Sequence, residues 1–268
     1  LWGDLTKKGN KETYMELQQL VEQMCEKREQ DKFGKLSIIR MPKTEQKFYA
    51  NAGIVPVLLQ FPKLDGDGME IQKLKRKGLQ ALQSIMYKNK RNQQIVFEYL
   101  DVMIAELADT QNPMEQSEVI VTIGEIFRDN YDLCCRVPKK LFEAVEHFLL
   151  HKAKNPNSLH ANDLRVLEVI AVVDGIPIKH NQLPTLHVLI GKGRKKVTPM
   201  LILVSKYVNS DPSKRDRLLG NSGSDGGIIS GTLGYHIKLL KVLSQTCRGP
   251  ATLEEVLCKP LISFRELI

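Results

Sequence analysis

Apolar residues recur at three- and four-residue intervals through most of this chain, and short breaks at Pro, Gly and Asn interrupt the runs. A period near 3.6 puts the apolar side chains of each segment on one helix face, so the pattern predicts many short amphipathic helices. Met15, Leu17, Leu20, Val21 and Met24 mark the first. Asn51 to Leu59 predicts a short apolar helix stopping near Pro62, with Pro56 in its first turn, where a missing N–H costs little. Longer helices are predicted over Met69 to Tyr87, Gln93 to Leu107, Met114 to Tyr131, Lys139 to His151, Ala161 to Val173 and Gly231 to Cys247. Shorter ones are predicted over Leu183 to Ile190, over Thr198 to Val208 and from Thr252 onward. The breakers are a turn at Asp65 to Gly68, then Asn112, Pro113, Pro138, Asn155 to Asn157, Gly175, Pro184, Gly249 and Pro250. No alternating stretch is long enough to build a sheet; Val188 to Ile190 and Ile228 to Ile229 are the best strand candidates.

The spacing of the helices narrows the fold class. Comparable helix starts at Met69, Met114 and near His160 give a step of about 45 residues, the length of an armadillo or HEAT repeat. Such a unit cannot bury its apolar face alone and must stack on its neighbours. The expected fold is therefore all-α, an armadillo/HEAT-like right-handed helical solenoid; a closed helical bundle is the rival arrangement. Residues 1–50 read as a leading helix and linker, 51–218 as armadillo-like repeats and 231–268 as helices continuing the same solenoid. Between them, residues 219–230 are rich in Gly and Ser and follow a charged run, which predicts a flexible loop. The chain opens on Leu1 and ends on Ile268, so a fragment of a larger protein is expected.

Charge and cysteines bound the environment. The formal charge of +8 favours acidic partners over basic ones, although a Lys-rich solvated surface gives the same number. The five cysteines, Cys25, Cys134, Cys135, Cys247 and Cys258, include no C-x-x-C pair, so a disulfide framework is not expected and a reducing compartment is. The longest apolar runs, Ile54 to Leu59 and Met200 to Val204, are far short of the ~18 residues that span a bilayer.

Motifs with chemical content fail on their second requirement. His147 and His151 share a helix face by spacing, but Phe148, Leu149 and Leu150 lie between them, without the Glu of H-E-x-x-H or a third ligand. Gly220, Gly223 and Gly226 lack the strand and the partner of a phosphate-cradling loop, and Gly191 to Lys196 lacks the P-loop spacing and hydroxyl. The neighbours Cys134 and Cys135 have no second pair nearby for a metal, and a nucleophilic Cys would need a His and an orienting group placed by the fold, for which six scattered histidines are no evidence. Basic residues cluster at Lys73, Lys75, Arg76 and Lys77, at Lys88, Lys90 and Arg91, and at Arg194, Lys195 and Lys196. Only Tyr87 lies close to them, too little for base stacking, so no nucleic-acid partner is expected. The sequence thus predicts no enzyme, no catalytic residues, no metal and no cofactor.

Several segments, in order, resemble the central cytosolic helical region of the inositol trisphosphate receptor and ryanodine receptor family of calcium-release channels. They are Asn51 to Pro62 (NAGIVPVLLQFP), Asn92 to Asp101 (NQQIVFEYLD), Gly124 to Cys134 (GEIFRDNYDLC), Asp163 to Ile170 (DLRVLEVI), Ile178 and Lys179, Tyr235 to Cys247 (YHIKLLKVLSQTC), and Thr252 to Leu261. The resemblance runs from about Thr13 onward; Gly220 to Gly227 and Gly191 to Lys196 depart from it. It implies a scaffold and relay segment on the cytosolic face of the endoplasmic reticulum membrane, between a ligand-binding core and a pore that lie elsewhere in the protein. It also implies other domains and subunits of a homotetrameric channel as partners, protein regulators besides, and no membrane span within this stretch. No residue matches the family's ligand-binding motif. The alternatives from the residues alone are a free-standing armadillo or HEAT adaptor for peptides or acidic proteins, and an inositol-phosphate or lipid-headgroup binder using the Lys73 to Lys77 face.

Overall fold

The computed structural model describes residues 11–25, 27–30, 36–64, 69–108, 113–154, 158–190 and 231–249. The predicted turn at Asp65 to Gly68, the breakers at Asn112 and Asn155 to Asn157, the basic turn at Gly191 to Lys196 and the helix at Thr198 to Val208 lie outside them. So do the strand candidate Ile228 to Ile229, the loop at 219–230 and the helix from Thr252. The chain is mostly helical and divides into two compact units, Leu1–Ile126 and Phe127–Ile268.

In the first unit, helix α1 (Lys11–Met24) packs along α4 (Met69–Met86), with Val21 and Met24 buried. An antiparallel hairpin follows, β1 (Lys27–Gln30) with β2 (Leu36–Ile39), in the register Lys27 to Ile39 and Gln30 to Leu36. The sequence pattern showed no sheet here, because two four-residue strands are too short for alternation to stand out. Helix α2 (Lys43–Asn51) ends at Gly53, whose φ of 73° is the left-handed conformation that glycine adopts without a Cβ clash. Helix α3 (Ile54–Leu58) buries Ile54, Val55, Val57 and Leu58 and leaves Pro56 exposed. A single 3₁₀ turn, Phe61–Lys63, then drives the Phe61 ring against Gly78 in the middle of α4. A Cβ at position 78 would collide with that ring, which is why a helix former is absent there.

The segment predicted as one helix over Gln93 to Leu107 is two, α5 (Lys90–Phe97) and α6 (Leu100–Ala108). The chain tightens between them, with the Tyr99 N–H donating to the Val96 carbonyl at 2.9 Å. Apolar spacing runs on through Phe97 and Tyr99, so periodicity alone could not reveal the break. Helix α7 (Pro113–Phe127) closes the unit. It meets α4 through Gln83 Nε2 to Thr122 Oγ1 (3.0 Å) and Arg76 Nε to Glu118 Oε1 (3.0 Å).

In the second unit, the helix expected to reach Tyr131 stops at Phe127, because Asp129 takes a left-handed φ of 54° and Asn130 caps a new short helix, α8 (Tyr131–Cys134). Helix α9 (Lys139–Lys152) buries Leu141, Phe142, Val145, Phe148 and Leu149, as its spacing predicts. The predicted Ala161 to Val173 helix is a 3₁₀ turn (Ala161–Leu164), α10 (Arg165–Ala171) and the start of a hairpin, β3 (Val172–Val173) with β4 (Ile176–Pro177). Asp174 and Gly175 both have positive φ and make its two-residue turn. Helix α11 (Lys179–Ile190) runs through Pro184 rather than breaking before it, and Val188 to Ile190 are helical, not a strand. The proline forfeits one backbone bond, while Thr185, Leu186, Val188 and Leu189 are buried beyond it. Helix α12 (Gly231–Thr246) packs against the 3₁₀ turn, α10 and α11.

Candidate functional site

The most organised polar chemistry lies in the second unit, around α10 and the 3₁₀ turn before it. Lys152, the last residue of α9, is buried, and its Nζ donates to both carboxylate oxygens of Asp163 at 2.9 and 2.8 Å. Asp163 also accepts the His160 backbone N–H at 2.8 Å, so it caps the 3₁₀ turn while neutralising the lysine. Two charges this deep hold together only because every partner is aligned; removing either would strand the other.

One turn onward, Glu168 collects three cations. Arg165 Nη1 donates at 2.9 Å and Lys238 Nζ at 2.8 Å to Oε2, and Lys241 Nζ at 2.7 Å to Oε1. Burial alone would push this carboxyl up. The hydrogen bonds from Lys238 and Lys241, with the charges of Lys238 and Arg165, instead hold it down at about 2. Lys238 and Lys241 are one turn apart in sequence, so one face of α12 is anchored to α10 by a single carboxylate. Tyr235, fully buried on the same helix, has its phenol pushed up by burial and by the charge of Asp163.

A second kind of polar contact recurs in each unit. Asn92 and Gln93 are buried in the first turn of α5. The Asn92 side chain donates to the Ile85 carbonyl (3.0 Å) at the end of the preceding helix and to the Gln46 carbonyl (3.2 Å). Gln93 donates to the Glu125 carbonyl in α7 at 2.9 Å. Asn181 and Gln182 take the same places in α11. Asn181 donates to the carbonyls of Ile170 (2.9 Å), in α10, and Cys134 (2.7 Å). Gln182 donates to the carbonyls of Gln245 (3.1 Å) and Arg248 (2.9 Å) at the end of α12. In both units an Asn ties its helix back to an earlier one and the following Gln ties it to a later one.

The sequence-predicted groups fall apart or into ion pairs. His147 is exposed and His151 half-buried; among the described residues, no three or more His, Cys, Asp or Glu side chains are grouped to hold a metal ion. Cys134 is buried and its thiol donates to the Phe127 carbonyl at 3.2 Å; burial pushes its pKa up to about 12, far from a nucleophile's. Its neighbour Cys135 is exposed. The Lys73 to Lys77 run is shared out: Lys73 lies 3.8 Å from Glu22, Arg76 bonds Glu118, and Lys75 is buried. Lys88, Lys90 and Arg91 stay at the surface, with Lys88 and Arg40 near the Tyr87 ring. Arg194, Lys195, Lys196, Gly220, Gly223 and Gly226 lie outside the described residues.

Sequence reasoning missed Lys152, Asp163, Glu168, Lys238 and Lys241. A signal existed at Glu168, a charge with Val166, Leu167, Val169 and Ile170 on either side of it in a predicted core helix. Among the described residues no helix is long and apolar enough to cross a membrane. Scanned against models of known protein families, the chain matches none.

Proposed function

We propose that the chain is a cytosolic scaffold and relay segment of an intracellular ligand-gated calcium-release channel of the inositol trisphosphate receptor type, built as an armadillo/HEAT-like right-handed solenoid. The observation that carries the repeat reading is the recurrence of Asn92 and Gln93 as Asn181 and Gln182, third and fourth in their helices, with matching backbone acceptors. The two pairs stand 89 residues apart, two steps of about 45. The ordered resemblance from Asn51 to Cys247 carries the channel assignment, which is an argument by analogy.

The relay reading draws on energetics. A helix held by Glu168 to Lys238 and Lys241, and by Gln182 to the carbonyls of Gln245 and Arg248, moves with its neighbours as a block rather than by bending. Blocks joined in that way pass a displacement along an array because packed interfaces resist continuous deformation.

The full-length transcript tests the channel assignment. It is expected to encode a ligand-binding core upstream and pore-type apolar segments downstream; a reading frame that ends near Ile268 refutes it. Small-angle scattering tests the solenoid. A stacked row gives a radius of gyration well above the ~18 Å expected of a compact domain of this length, and a value near 18 Å would favour a bundle.

A further inference from the structure

In the first unit four exposed lysines and an arginine that make no ion pair among the described residues gather at one joint, where α2 crosses the turn between α4 and α5. Gln46 on the inner side of α2 fixes the joint: its Nε2 donates to the carbonyls of Met41 (3.1 Å) and Tyr87 (3.3 Å), and its Oε1 accepts from Asn89 Nδ2 (3.0 Å). Asn92 Nδ2 adds a bond to the Gln46 carbonyl. At ~100° per residue, Lys43, Lys47 and Asn51 form one stripe beside that inner face, and Glu45 falls on the opposite flank. Arg91 Nη2 reaches the end of the stripe at Asn51 Oδ1 (3.4 Å), which brings the α5 cations alongside α2. Lys43, Lys47, Lys88, Lys90 and Arg91 are all exposed, and none makes an ion pair among the described residues. The crest of α2 adds Phe48, 67% exposed and held edge-on by Tyr49 at 5.5 Å between centroids.

This arrangement differs from the Lys73 to Lys77 run, where Glu22 lies 3.8 Å from Lys73, Glu118 pairs with Arg76 and Lys75 is buried. Five like charges on one joint repel one another, and the contacts of Arg91 with Asn51 and of Lys88 with the Tyr87 ring neutralise none of them. Their spacing gives the partner's form. Along a helix, stations four residues apart are ~6 Å apart, so Lys43, Lys47 and the Arg91 guanidinium at Asn51 make a row of about 12 Å. Alternate side chains of an extended strand repeat at nearly the same ~6.6 Å. A duplex or a base-stacking strand would need more aromatic or groove-shaped surface than Phe48 supplies.

We propose that the surface formed by Lys43, Lys47, Lys88, Lys90, Arg91 and Phe48 docks an extended acidic polypeptide segment, with carboxylates on alternate positions and one apolar side chain set against Phe48. The proposal is independent of the channel reading, since it rests on this unit alone.

The test is fluorescence anisotropy of the whole chain with a labelled peptide of alternating Glu and Ser around a central Leu, at low and at physiological salt. Binding that weakens as salt rises is expected. K43E/K47E is expected to weaken it about tenfold or more, and F48A a few-fold. K154E/K179E, exposed lysines of the other unit and the same change in net charge, is expected to leave it within about twofold. Circular dichroism checks folding; should K43E/K47E fail to fold, K43Q/K47Q carries the test with a loss of about threefold. Equal losses in the control pair, or no binding at millimolar peptide, overturn the proposal. Tighter binding to phosphatidylserine vesicles or to a single-stranded oligonucleotide than to the peptide overturns it as well.

Discussion

Replacing Glu168 by Gln removes one charge and almost no volume, so it isolates what the carboxylate does for α12. In the folded protein its pKa sits at about 2, against 4.5 for an unperturbed carboxyl. At ~1.4 kcal/mol per unit that difference corresponds to about 3 kcal/mol. Lys241 is 58% exposed and its share is screened by solvent, which brings the expected loss to about 2 kcal/mol. The direction with pH follows from the lowered value. The stabilisation is fully present above pH 4.5 and is lost as pH falls through 2, where wild type protonates Glu168 and comes to resemble the variant. Urea unfolding followed by circular dichroism, at steps from pH 7 to pH 2, reads this out as a midpoint shift of about 1 M at neutral pH that closes in acid. Hydrogen exchange localises it, since the α12 amides should lose protection before those of α9. A variant as stable as wild type at pH 7 would refute the reasoning. So would a deficit that stays constant down to pH 2, because the loss would then come from packing rather than charge.

Four further substitutions probe the other joints. Asp163→Ala strands the Lys152 ammonium and uncaps the 3₁₀ turn, and should cost about 3–5 kcal/mol in urea unfolding, more than Glu168→Gln. Gly78→Ala gains helix propensity but drives a methyl into the buried Phe61 ring; a net loss of about 1–3 kcal/mol is expected, and Gly78→Ala combined with Phe61→Leu should recover part of it. Asn92→Ala and Asn181→Ala each remove two buried side-chain hydrogen bonds to backbone carbonyls of other elements, so each should lower stability by about 2–3 kcal/mol, with increased exchange confined to its own unit. Unequal effects of the two would count against their being equivalent positions of a repeat.

What the sequence could and could not reveal follows from the range of each interaction. Helices α4, α9 and α12 were legible because their apolar residues recur over four turns or so, and a period needs length to be seen. The joints were not, because each depends on one residue's φ or one amide's aim. Asp129 in a left-handed conformation ends α7, and nothing in the apolar spacing around Ile126 and Phe127 foretells it. Asp174 and Gly175 are a partial exception: an Asp-Gly pair between Val173 and Ile176 is the strongest short hairpin signal there is, yet the apolar run from Leu164 made the segment look helical. Charge pairing is less legible still. Nothing in the residues around Lys73 or Glu168 names a partner, but one faces a carboxylate 3.8 Å away at the surface and the other gathers three cations inside. Only the packing of α12 onto α10 distinguishes them. The same reasoning bears on the basic residues. The runs at Lys73 and Lys88 read as two similar basic patches in sequence, whereas the fold pairs or buries much of the first and leaves the second exposed beside Lys43 and Lys47. The patch with an unmet charge is therefore identified by elimination within the fold, which sequence composition alone cannot perform.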